Sequence, residues 1–150
     1  MIRVHREDFD VGAEIARLTE GCHEIGGIVS FVGVVRDAAG GDRIGAMTLE
    51  HYPGMTEKML GEIEAEARRR WKLEASLIIH RYGRLEPGER IVLGVIAAAH
   101  RQAAFEACEF LVDWLKTKAP FWKLEETAAG PRWVEAQSGD DEAAKRWVAE

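Results

Sequence analysis

The 150-residue sequence has little cysteine, no long apolar run and no surplus of basic side chains. Each shortage excludes something. Its two cysteines, Cys22 and Cys108, lack the spacing of metal ligands, and we read both as buried thiols, Cys108 on the inward face of a helix. The sequence contains no stretch approaching the about 18 apolar residues of a membrane span and no signal-peptide pattern, so we expect a soluble, cytoplasmic protein. With 20 Lys and Arg against 26 Asp and Glu, the formal net charge is −6. That excludes a nucleic-acid binder working through a general basic field, and any anion site must be focal.

What is present is ordinary globular material: 47% hydrophobic and 31% charged residues, with no repeat or low-complexity tract. The length suits one domain over 1–150. MIRVHR at 1–6 has a short strand pattern, and 10–20 predicts a helix with Asp10 as N-cap. The β-branched and glycine-rich stretch 25–36 predicts a strand buried on both faces. After the loop DAAGGDR, segment 44–52 predicts a partner strand able to form a hairpin with it. The helical pattern 56–71 puts Met59, Leu60, Ile63 and Ala67 on one stripe. Segments 73–85 and 90–100 predict antiparallel strands joined by the turn EPGE. A second long helix runs from about Arg101 to Lys118, with Ala104, Phe105, Cys108, Leu111, Val112 and Leu115 inward. Pro120 disfavours helix at Ala119, so FWKLEE leaves extended, and a hairpin and a terminal helix over DDEAAKRWVAE follow. This pattern predicts an α+β fold.

Three polar clusters need explaining. Lys116 sits at the margin of the apolar arc of the second helix, whereas Lys118 points to roughly the opposite side. Beyond the Pro120 bend, strand alternation puts Phe121, Lys123 and Glu125 on one face, so Lys123 can fold back toward Lys116. Two ammonium groups flanking a bend suit an anion between them; the alternative is that both stems cover aromatic surface and their heads reach water. His100 and Arg101, between a strand end and a helix start, form either a phosphate-binding corner or a simple cap with a surface ion pair. Arg36, before a glycine-rich loop, is either a third site cation or a solvated loop residue.

The ordered motifs SFVGVVRD, LEHYPGMTEKM, HRYGRLEPGE, AHRQAAF and DWLKTKAPFWKLE, spread over roughly 28–147, resemble the large catalytic subunit family of molybdopterin synthase. The resemblance implies an α/β hammerhead-type fold with an additional antiparallel β-subdomain, and a homodimer of large subunits. It also implies a small ubiquitin-like sulfur-carrier subunit with a C-terminal Gly-Gly thiocarboxylate, giving a heterotetramer. The implied substrate is cyclic pyranopterin monophosphate (precursor Z), converted to the dithiolene of molybdopterin, with no metal or cofactor required. Carried over by residue, it implies catalytic roles for Lys116 and Lys123, and substrate binding by Arg36, His100, Arg101, Lys116 and Lys123. One departure stands at Gln137, where some members of the family carry a basic residue that reaches the neighbouring subunit; Arg132 is a nearby substitute. Phe31, Met47 and Met55 are read as packing residues.

Overall fold

The computed structural model describes residues 1–39, 42–134 and 138–148. In chain order the first elements are β1 (Ile2–His5), α1 (Val11–Thr19), β2 (Gly27–Val34), β3 (Ala38–Ala39), β4 (Asp42–His51) and α2 (Met55–Arg70). There follow β5 (Ala75–Arg81), β6 (Gly83–Leu85), β7 (Arg90–Ala98), α3 (Arg101–Lys118), β8 (Phe121–Thr127), β9 (Gly130–Trp133) and α4 (Ser138–Lys145). Helices and two largely antiparallel sheets make this an α+β protein. Among the described residues, no helix is long and apolar enough to cross a membrane.

The first sheet has strand order β1-β5-β7-β2, with β1 parallel to β5 and the other pairings antiparallel. Its central strands are the continuous apolar runs. One face of β5 and β7, through Ile78 and Ile96, packs under α2 and α3 against Leu60, Ile63, Phe110 and Leu111. Leu77, Ile79, Leu93 and Val95 point the other way, where Phe9 and α1 cover them. Asp10 starts α1 as expected, its carboxylate accepting from the Ala13 N–H at 3.0 Å.

β2 departs from expectation. It is an edge strand, and Ile28 and Val34 are 43% and 46% exposed. The β-branched texture marks a strand here, but one face lacks the cover that β5 and β7 receive. Nor does β4 form a hairpin with β2: it pairs antiparallel with β6 and β8 in a second sheet ordered β3-β4-β8-β9. There Met47 and Leu49 close a separate cluster with Val35 and Leu85. The predicted strand 73–85 is cut for the same reason. Gly83, at φ 96°, turns the chain so that β6 leaves β5 and joins β4.

The α3 boundaries match the sequence, but its inward face is rotated. Phe105 is 63% exposed, whereas Ala107 and Phe110 are fully buried. Phe110 packs among Trp71, Trp114 and Trp147, and the Trp147 indole N–H donates to Asp113 at 2.7 Å, docking the chain beyond α4. Of the methionines read as packing, Met47 is buried and Met55 is exposed. Cys108 is buried, which pushes its thiol up to about 11; Cys22 is only half-buried.

Candidate functional site

At the end of α3, Ala119 adopts extended backbone (φ −76°, ψ 130°) ahead of Pro120, and β8 begins at once. The bend is clasped from outside. The buried Thr56 hydroxyl donates to the Pro120 carbonyl at 3.2 Å and accepts from the Tyr52 N–H at 2.9 Å, tying the bend to the start of α2. β8 then runs antiparallel to β4, with Lys123 opposite Leu49 and Phe121 opposite His51. Lys116 and Lys123 thereby line one cavity of about 250 Å³ at the junction of the two sheets. Phe31 to Val34 of β2, Val92 of β7 and Leu115 of α3 supply apolar wall. Gly33 belongs there because a Cβ would lie 2.6 Å from Val92 Cγ1. Lys118 lies elsewhere, its ammonium 5.5 Å from the Trp114 ring centroid, as the helical angle predicts.

The cavity also holds a residue the sequence reading did not weigh. His80, near the end of β5, is 9% exposed and stacks on Phe121 with ring centroids 3.7 Å apart and an interplanar angle of 18°. Its Nδ1 lies 2.8 Å from the Arg81 carbonyl oxygen, which can only accept, so Nδ1 carries the proton. Burial first, and then the charges of Lys123, Lys116 and His51, lower its pKa to about 3. The ring is neutral at physiological pH. The available signal was a histidine closing the apolar run LII, a position where an imidazole must be buried and partnered.

The structure brings two of the five candidate cations, Lys116 and Lys123, into one cavity at the end of α3. Arg36 is exposed two residues beyond Val34, a cavity-lining residue, and borders an open depression with Pro87 and Gly88. Reciprocal backbone bonds fix this neighbourhood, Val35 N–H to Glu89 O and Gly88 N–H to Val35 O. His100 and Arg101 lie at the other end. Sixteen helical residues of about 1.5 Å each put them about 24 Å from Lys116, and β2, running beside α3, spans a similar about 23 Å. His100 occupies the N-cap position without a side-chain capping bond, and the first turn of α3 has no acidic residue, so the corner is open to an anion. Gly26 holds it in place: a Cβ there would lie 2.0 Å from the Ala99 carbonyl oxygen. Arg132 is engaged within its own chain, donating to the buried Glu125 at 3.1 Å. Gln137 lies outside the described residues.

Fold and cavity together define a class, an α+β protein of two sheets with a cationic cavity where they meet. The sequence model of the MoaE protein family matches residues 4–118. The chain is 58% identical over 146 residues to the molybdopterin synthase catalytic subunit of Pseudomonas aeruginosa, with 97% of each chain covered. It is 55% identical to that of Mesorhizobium japonicum, covering 97% of this chain and 92% of the relative. Among solved structures, a molybdopterin biosynthesis MoaE protein from Burkholderia ambifaria superposes with a TM-score of 0.85 at 51% identity, covering 100% of this chain and 99% of the other. This chain belongs to the MoaE family.

Proposed function

We propose that this chain is the catalytic subunit of a molybdopterin synthase, a cytoplasmic single-domain sulfurtransferase. It moves sulfur from the C-terminal thiocarboxylate of a small ubiquitin-like subunit to cyclic pyranopterin monophosphate, forming the molybdopterin dithiolene. The observation that carries this reading is the single cavity shared by Lys116 and Lys123 in a protein of net charge −6. A monophosphate and a thiocarboxylate tail both bring negative charge, and paired ammonium groups in a partly desolvated cavity attract them more strongly than surface lysines would. Lys116 assists the transfer by moving a proton or by transient capture of the acyl end, and Lys123 holds the tail or the developing oxyanion. Arg36, at the rim, binds substrate.

His100 and Arg101 bind the same substrate only if a second copy supplies them, since about 24 Å of helix separates them from the lysines within one chain. In a homodimer of large subunits, each carrying a small subunit, the open end of one copy can face the lysines of the other. The partner's extended Gly-Gly end is narrow enough to enter the cavity, while its folded body provides most of the binding area. Removing the two glycines should abolish sulfur transfer and only weaken association; calorimetry with full-length and truncated partner checks this, and total loss of association would make the tail the main anchor.

The deciding experiment combines purified protein, the thiocarboxylated small subunit and cyclic pyranopterin monophosphate. Molybdopterin forms if the reading is right. Binding of both ligands without product would leave an anion-binding scaffold and remove the enzyme.

A further inference from the structure

The chain crosses between the second sheet and the helices that cover the first at two neighbouring joints. Residues 52–54 lead from β4 into α2, and Ala119 and Pro120 lead from α3 into β8. Lys116 stands before the second joint and Lys123 beyond it, so whatever sets the angle of that joint also sets how the two lysines face each other. Most of its torsions are already committed. Proline locks its own φ and holds Ala119 in the extended region, which leaves the peptide plane between Pro120 and Phe121 as the soft element.

Both polar groups of that plane are held. The Phe121 N–H donates to the Ala119 carbonyl at 3.0 Å, closing a three-residue turn, and the Pro120 carbonyl accepts from the Thr56 hydroxyl at 3.2 Å. Thr56 is fully buried, and its hydroxyl oxygen also accepts from the Tyr52 N–H at 2.9 Å in the first joint, where the Thr56 N–H donates back to the Tyr52 carbonyl at 2.8 Å. One hydroxyl therefore donates into one joint and accepts from the other. We propose that Thr56 is a positioning residue: by tying the two joints together it fixes the direction in which β8 carries Lys123 relative to Lys116. The lever is short but sufficient. The extended chain from Pro120 to Lys123 spans about 10 Å, so turning the joint by about 10° displaces the Lys123 backbone by about 2 Å. A shift of about 1 Å in a catalytic group is already costly to the reaction. Pairing with β4 fixes β8 within the second sheet, and the clasp fixes that strand against α3.

This role bears on turnover only if the lysine pair serves sulfur transfer, as proposed above, so one readout is independent of the reaction. Residual dipolar couplings of backbone amides report the angle between α3 and β8 in solution. Thr56→Ser keeps the hydroxyl, Thr56→Val keeps the shape and loses both side-chain bonds, and Thr56→Ala loses them without apolar bulk and serves if valine prevents folding. In the valine and alanine variants β8 should rotate against α3 or average over several angles, whereas the serine variant should match wild type. Turnover should follow the angle: kcat falls about tenfold in valine and alanine and recovers in serine, with KM for both substrates within about twofold of wild type. A hydroxyl with a purely structural role would lower the melting temperature of the valine and alanine variants and leave both the angle and the kcat of the folded protein unchanged. That result, or a serine variant as impaired as valine, overturns the proposal. In wild-type protein the Tyr52 amide should exchange slowly with solvent, and exchange at the rate of an open loop overturns it as well. If the angle responds as expected but wild-type protein forms no molybdopterin, the positioning role stands and the assigned reaction falls.

Discussion

The two ends of α3 carry cations under opposite conditions. At the C-terminal end, two sheets, a proline bend and a buried histidine build a walled cavity around Lys116 and Lys123. At the N-terminal end, His100 and Arg101 stand exposed on an open corner. One end is shaped by the core of its own chain. The other offers charge and unpaired amides but no wall, and becomes a site only when another surface closes it. The contrast teaches that the same type of residue, a cation beside a helix terminus, can be preorganised or can wait for a partner, according to what packs against it.

The largest effect should come from the walled end. Lys116→Ala and Lys123→Ala should each reduce product formation by about two orders of magnitude or more, with thermal stability unchanged, while Lys118→Ala does little. Near-normal single-turnover rates in the first two would remove the catalytic assignment.

Mixing variants breaks or sharpens the comparison itself. If the open end serves a neighbouring copy, inactive Lys123→Ala and impaired Arg101→Ala proteins, unfolded together and refolded, should regain a substantial fraction of wild-type turnover, because each mixed dimer contains one intact pair of ends. Activity no greater than the average of the two separate preparations would place both ends in independent roles.

A smaller effect is expected in stability. Gly26→Ala forces a Cβ against the Ala99 carbonyl and should cost about 1–3 kcal/mol, read from the denaturation midpoint. It should also weaken substrate binding at the open end.

The smallest effect near neutral pH, growing with acidity, belongs to His80. Its folded-state pKa, about 3, lies below the unfolded value near 6.5, so the unfolded chain binds more protons between these limits. Its contribution to stability is complete above about pH 6.5 and declines as pH falls toward 3. His80→Phe should flatten that part of the stability profile in denaturant titrations from pH 4 to 7; an unchanged slope would assign acid sensitivity to other groups.

Much of this architecture was legible from local pattern. The bounds of α3, the stop at Ala119, the turn at Pro87 and Gly88 and the opposite bearings of Lys116 and Lys118 depend on helical angle, proline geometry and glycine freedom, which act over a few residues. The strand errors have the reverse cause. Texture marked 25–36 and 44–52 as strands, but whether they pair with each other depends on surfaces far along the chain, where β8 (Phe121–Thr127) claims β4. Phe105 fits the apolar arc as well as Phe110 does, and only the aromatic cluster around Trp71 and Trp147 decides which is buried.

The sequence by itself determined the helices, the bend and the acidic background against which a few cations stand out, because periodicity, proline and composition are properties of neighbouring residues. It also carried the ordered motifs by which the family is recognised. Tertiary structure alone decided that His80 joins the lysine cavity and that β8, carrying Lys123, pairs with β4. Those outcomes follow from the pairing of strands distant in the chain, which no local pattern records.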